Sequence, residues 1–224
     1  MASIIPAIIP ADIDELSEKI NSVSGIVDIV QIDVVDGKYA KPASWPYVGK
    51  ANYFKKLASE EEGLPEWSSM DFEVDMMVLN PQKKIEDWIH AGASRIIIHL
   101  ESAEPEEIGS IIDDYAGAFV ELGLAIKPST PNSKLEFFMD NIDFVQCMGS
   151  DNLGHSGEEL DERIYDKIRE IRDLHPEMPI SIDIGVNFET APKLLEAGAS
   201  RLVAGSAIFD SADVEEAIRE FHEL

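Results

Sequence analysis

The sequence predicts an α/β fold, a closed TIM (β/α)8 barrel of eight parallel strands. Short apolar runs alternate strictly with longer amphipathic ones along the 224 residues. Apolar strands joined through helices imply a parallel sheet covered on both faces. Eight such pairs in this length fit a closed barrel better than an open doubly wound sheet, which alternation alone leaves standing. No stretch reads as a linker, so one domain, 1–224, is expected.

In chain order, residues 3–9 read as a strand. A helix over 13–23 follows, with Asp12 as N-cap and Ile13, Leu16 and Ile20 at helical spacing. Residues 26–35 are rich in β-branched side chains and stop at Asp36-Gly37, a turn signal. A loop over 36–47 leads to a helix over 48–61. The strand 72–78 precedes a helix opened by Pro81 and running to about residue 90. Strand 95–100 precedes helix 104–118, with Pro105 in its first turn. Strand 122–127 is followed by a short helix over 132–139, then strand 144–148. A glycine-containing loop, 149–157, opens helix 159–174. Strand 179–184, helix 189–197, strand 202–204 and helix 212–223 complete the chain. The phrase Ala-Gly-Ala-Ser-Arg occurs at 91–95 and again at 197–201, each time between a helix and a strand, which supports internal β/α repetition.

Composition narrows the partners. There are 44 acids against 18 bases, a formal net charge of −26. Such a surface repels nucleic acid and anionic membrane, so neither is expected as a partner. It repels an anionic substrate at long range too, so a phosphate site would rely on local backbone donors and helix ends. The longest apolar runs are strand-sized, and the N-terminal stretch lacks the basic region of a signal peptide. With the single cysteine, Cys147, excluding an intrachain disulfide, a cytoplasmic protein is expected.

Barrel chemistry gathers at the C-terminal ends of the strands. A carboxylate in an apolar strand is costly unless paired, hydrogen-bonded or metal-bound. Asp33 in Val30-Gln-Ile-Asp-Val-Val35 and Asp183 in Ile180-Ser-Ile-Asp-Ile184 are two such acids. Gln31 and Asp33 share one side of their strand, as do Glu73 and Asp75 of theirs. If those sides face the interior, Gln31, Asp33, Asp75 and Asp183 converge at the mouth as oxygen donors for a hard divalent cation. The bland alternative hydrogen-bonds Gln31 and Asp75 to loop backbone; Asp75 is evenly divided between the two, and Gln31 leans to the bland one. Two facing carboxylates without a nucleophile suit proton transfer at carbon, hence epimerisation or isomerisation beside a carbonyl. The loop 149–157, Gly185-Val186-Asn187 and Gly205-Ser206-Ala207 are candidate phosphate-binding pieces after strands six, seven and eight. His99 reads as a satisfied core histidine. His155 reads as an exposed loop residue within reach of ligand, and Cys147 and Met148 as packing at the mouth.

Together these residues resemble a family. Ile182-Asp-Ile-Gly-Val-Asn-Phe-Glu-Thr-Ala-Pro192 and Leu202-Val-Ala-Gly-Ser-Ala-Ile-Phe209 look like the closing signature of ribulose-phosphate 3-epimerase. Ile32-Asp-Val-Val-Asp-Gly37, Phe72 to Pro81, Ile98-His-Leu-Glu101 and Gly123 to Pro131 are similar to its earlier motifs, in order. The resemblance implies action on D-ribulose 5-phosphate and D-xylulose 5-phosphate. Asp33 and Asp183 would be its acid/base pair and metal ligands, and Gly154, His155, Ser156, Gly157, Gly185, Gly205 and Ser206 its phosphate site. Met77 and Met148 would match methionines near the reacting carbons. The chain departs from the pattern at Ala7, at Val35, at Ile184 where glycine is usual, in the loop after strand six, and at Gln31 and Asp75, where the family carries metal-binding histidines. Without those imidazoles, magnesium, manganese or another hard cation is expected rather than zinc or iron, or no metal at all. A catalytically silent phosphosugar-binding paralogue is the alternative function. A related magnesium lyase with an Asp-x-Lys-x-x-Asp motif ranks last, because Asp75-Met76-Met77 lacks the lysine. Barrels of this kind often assemble, so a homo-oligomer is compatible with the sequence.

Overall fold

A computed structural model describes residues 2–49, 51–115 and 117–224. Eight parallel strands close into a barrel in chain order: β1 (Ser3–Ile8), β2 (Ile29–Val35), β3 (Asp71–Met77), β4 (Arg95–His99), β5 (Glu121–Ile126), β6 (Phe144–Met148), β7 (Ile180–Asp183) and β8 (Arg201–Ala204). The helices are α1 (Ile13–Val23), α2 (Ala51–Ala58), α3 (Gln82–His90), α4 (Pro105–Tyr115), α5 (Arg163–Leu174), α6 (Ala191–Ala197), α7 (Ser206–Phe209) and α8 (Val214–His222). β1 pairs with both β2 and β8, which removes every sheet edge.

All seven residues of β2 are buried, because alternate side chains serve two different cores. Val30, Ile32 and Val34 pack outward against the helical layer, whereas Val35 joins Met77, Ile97, Met148 and Leu153 inside the barrel mouth. Helix α1 buries Ile13, Leu16, Ile20 and Val23, and the Asp12 side chain accepts from the backbone N–H groups of Asp14 and Glu15. The two Ala-Gly-Ala-Ser-Arg copies do terminate helices: Gly92 and Gly198 take φ values of 108° and 116° beyond α3 and α6.

One expected helix is absent. Residues 132–139 form two 3-10 turns instead, Asn132–Lys134 and Met139–Asn141. Asn132 commits its side chain to α5, donating from Nδ2 to the Lys167 carbonyl at 3.0 Å and accepting from Lys167 Nζ at 2.8 Å. That tertiary anchor at the segment's first residue overrides a local pattern that contains good helix formers, Lys134, Leu135, Glu136 and Met139. Helices α2 and α4 are shorter than their amphipathic patterns, 48–61 and 104–118; residues 50 and 116 lie outside the described residues. Cys147 packs outward with the helix-facing core rather than at the mouth, and burial pushes its thiol up to about 12.

The barrel interior carries polar groups at both ends. Near the N-terminal end, Glu73 forms an ion pair with Arg201. The Arg201 guanidinium lies 4.4 Å from the centroid of the Phe144 ring. The C-terminal end holds the candidate site.

Candidate active site

Strand register brings the acids together. Asp33 on β2 is the lateral partner of Asp75 on β3, and Asp183 on β7 is the partner of Met148 on β6. Asp33, Asp75 and Asp183 are all buried, and each offers an oxygen within 4.8 Å of the other two. Gln31 lies among them. Its Nε2 donates to Asp33 Oδ1 at 2.7 Å and to Asp183 Oδ2 at 3.1 Å. The expectation that Gln31 bonds loop backbone is therefore corrected. Two residues before Asp33 on one strand face, the amide reaches the acids and not the loop.

Asp75 also bonds side chains rather than loop backbone. His99 Nε2 lies 2.7 Å from Asp75 Oδ1, and Gln146 Nε2 donates to Oδ2 at 3.2 Å. His99 is thus only half satisfied, since its Nδ1 has no hydrogen-bond partner among the described residues. The His99 ring packs on Tyr39 with centroids 5.3 Å apart, and the Tyr39 hydroxyl donates to Glu101 Oε2 at 3.2 Å. Gln146 was missed in the sequence reading. Its signal is a lone amide in Phe-Val-Gln-Cys-Met, on the face opposite Val145 and Cys147.

Burial dominates the electrostatics. Desolvation, then the Asp183 and Asp75 charges, raise Asp33 well above the usual carboxylate range, while the Gln31 hydrogen bond opposes them. Desolvation and Asp75 push Asp183 up to about 7, against the hydrogen bonds from Gln31 and the Ile184 N–H. The Ile184 N–H donates to Asp183 Oδ1 at 2.7 Å from a backbone with φ of 75°. A β-branched residue at positive φ is a steric outlier, so the surroundings hold this turn in place.

The acids open onto a cavity of about 350 Å³. Asp33, Asp183, Met77 and Ile184 line it, as does every residue expected at the phosphate site: Gly154, His155, Ser156, Gly157, Gly185, Gly205 and Ser206. Asp75 does not line it and sits behind the other two acids. The loop after β6 meets the loop after β2. A Cβ on Gly154, at φ 84°, would lie 2.9 Å from the Lys41 carbonyl oxygen. The β2 loop is itself tied down, since Ser44 Oγ accepts the Val35 N–H at 2.9 Å and Asp36 Oδ2 accepts that of Leu79 at 3.0 Å. Lys19 on α1 also lines the cavity, a residue without a motif to announce it.

The oxygen donors suit a hard divalent cation. Gln31 Oε1 is buried and without a partner among the described residues. A half-turn of the carboxamide would place it against the Asp33 and Asp183 oxygens that Nε2 now meets, favourably where a cation or a carboxyl proton lies between them. These residues therefore fit a metal through Asp33, Asp75, Asp183 and Gln31 Oε1. No helix among the described residues is long and apolar enough to cross a membrane.

Solved structures of other proteins share the fold. A 3-hexulose-6-phosphate synthase from Salmonella typhimurium superposes with a TM-score of 0.72 at 14% identity, covering 100% of this chain and 97% of that one. A 3-keto-L-gulonate-6-phosphate decarboxylase from Vibrio cholerae gives 0.71 at 14%, with 100% and 97% covered. Sequence relatives are nearer. The ribulose-phosphate 3-epimerase of Bacillus subtilis is 30% identical over 226 residues, covering 98% of each chain. That of Escherichia coli K12 is 31% identical over 223 residues, 97% of this chain and 93% of its own. The chloroplastic ribulose-5-phosphate-3-epimerase of Arabidopsis thaliana is 29% identical, covering 96% and 74%. The model of the ribulose-phosphate 3 epimerase family matches residues 3–209, and with that match this chain belongs to the ribulose-phosphate 3-epimerase family.

Proposed function

We propose that this protein interconverts D-ribulose 5-phosphate and D-xylulose 5-phosphate by two-base proton transfer. The observation that carries the reading is the meeting of Asp33 and Asp183 at the inner end of a cavity whose rim is built by Gly154–Gly157, Gly185, Gly205 and Ser206. The backbone N–H groups of these loops would hold the phosphate and fix the sugar's depth. One of the two carboxylates removes the proton from C3, beside the C2 carbonyl, leaving an ene-diolate. The other carboxylic acid delivers a proton to the opposite face of C3, inverting that centre. A group with the Asp183 value, about 7, exchanges protons readily near neutrality. In the metal-free site Gln31 Nε2, spanning both acids, would hold them in fixed directions, contacts given up when the amide turns Oε1 to a cation. A hard cation bound by Asp33, Asp75, Asp183 and Gln31 Oε1 would supply positive charge to stabilise the ene-diolate oxygens.

A second reading has its own observation. The same Nε2 contacts occupy an oxygen of each acid, which suits a phosphosugar-binding paralogue without turnover. A coupled epimerisation assay with chelator, then with Mg²⁺, Mn²⁺ or Zn²⁺, separates the two. Turnover that rises with Mg²⁺ or Mn²⁺ more than with Zn²⁺ is the expected result. Thermal stabilisation by D-ribulose 5-phosphate with no turnover under any metal would establish the silent reading.

A further inference from the structure

We propose that Lys19 is the side-chain counter-charge for the substrate's phosphate, a specificity-determining residue; this deepens the phosphosugar reading and rests on it. The cavity is otherwise acidic. Asp33, Glu158, Asp183 and Asp210 line it, and Lys19 is the one lysine or arginine among the described residues that does. The chain carries a formal net charge of −26, so a dianion entering the cavity approaches against the overall field. Backbone N–H groups offer dipoles there; Lys19 offers a full charge.

Lys19 is also held in place. Its Nζ lies 2.8 Å from Glu15 Oε1, one turn earlier on α1, and 5.5 Å from the centroid of the Phe209 ring. Glu15 is fixed in turn, because its Oε2 accepts the Ala11 N–H at 2.8 Å. Phe209 ends α7, which begins at Ser206, so the ammonium stands where the loop after β8 borders the cavity. The Lys19 side chain is 31% exposed, which leaves its charge less screened than on a free surface while still able to turn. A half-buried i,i+4 pair with Glu15 is still weak enough to be shared with, or given up to, a phosphate. None of the motifs by which the chain resembles its family contains this position, and the lysine answers a need the acidic surface creates.

The test compares wild type, Lys19→Met and Lys19→Arg in calorimetric titrations with inorganic phosphate and D-ribulose 5-phosphate, and in steady-state kinetics. Lys19→Met should raise Kd for both ligands and KM for the sugar phosphate roughly tenfold, with kcat within about twofold of wild type. It should also flatten the salt dependence of phosphate binding, and Lys19→Arg should restore most of the affinity. A wild type that binds phosphate and a Lys19→Met variant that binds it equally well would overturn the proposal and leave Lys19 a surface partner of Glu15. A wild type that binds neither ligand would overturn the phosphosugar reading itself, and this proposal with it.

Discussion

The two ends of the barrel interior bury acids in opposite ways. Near the N-terminal end, Glu73 is fully buried but faces the Arg201 guanidinium, which is braced on Phe144. At the C-terminal end three acids are buried together, and among the described residues no lysine or arginine pairs with Asp33, Asp75 or Asp183. Their partners are the Gln31 and Gln146 amides, the Ile184 N–H and the His99 ring. The first arrangement carries its own counter-charge, although Glu73 Oε1 has no hydrogen-bond partner among the described residues and burial raises the carboxyl above its ordinary value despite Arg201. The second has charge left over, and stays costly until protons or a cation arrive. One end folds its acid together with a counter-charge, and the other folds three acids without one.

The largest expected effect tests the ion-paired end. Arg201→Met leaves Glu73 buried without its guanidinium and should cost about 3–5 kcal/mol in denaturant unfolding. Asp183→Asn removes a charge that burial disfavours, so it should leave stability unchanged or raise it. Equal losses from the two variants would erase the distinction between the ends.

The next effect is in pH. Asp33 and Asp183 are both raised above their ordinary carboxylate values, Asp183 to about 7. The folded protein therefore holds protons that the unfolded chain has released. Their contribution to stability is fully present below the ordinary carboxylate range and is lost as pH rises through about 7. With chelator present, the denaturant midpoint should fall between pH 5.5 and pH 8, and Asp183→Asn should flatten the fall. A divalent cation needs the ionised carboxylates, so added Mg²⁺ should stabilise more at pH 8 than at pH 5.5. A midpoint rising with pH in chelator would mean that the acids are already compensated.

The architecture was legible because buried parallel strands and amphipathic helices leave plain periodicities, and Asp33 and Asp183 because isolated carboxylates in apolar strands are conspicuous. Their convergence was legible only on the condition that the faces carrying them turn inward, since register across β2, β3 and β7 depends on barrel closure. Gln31 was read toward the loop because local alternation gives a side chain's face without its partner. His99 is satisfied at Nε2 by Asp75, and the sequence does not show that Nδ1 is left without a partner among the described residues. The helix expected at 132–139 failed for a comparable reason: Lys167, distant in sequence, claims Asn132.

The smallest effect concerns the turn that aims Asp183. At φ 75°, Ile184 pays a backbone cost that glycine avoids. Alanine ordinarily stabilises relative to glycine, yet Ile184→Gly should unfold at higher denaturant than Ile184→Ala, by roughly 1 kcal/mol. The reverse order would show that the turn relaxes without its side chain.

The central claim is that the uncompensated acids at the mouth move the C3 proton. Incubating wild type with D-ribulose 5-phosphate in D₂O, with Mg²⁺ or Mn²⁺ present, tests it most directly by NMR. The account predicts D-xylulose 5-phosphate carrying deuterium at C3, and loss of that conversion in Asp183→Asn by about a hundredfold or more while phosphate binding persists. Absence of deuterium at C3 in wild type, or undiminished exchange in Asp183→Asn, would contradict it.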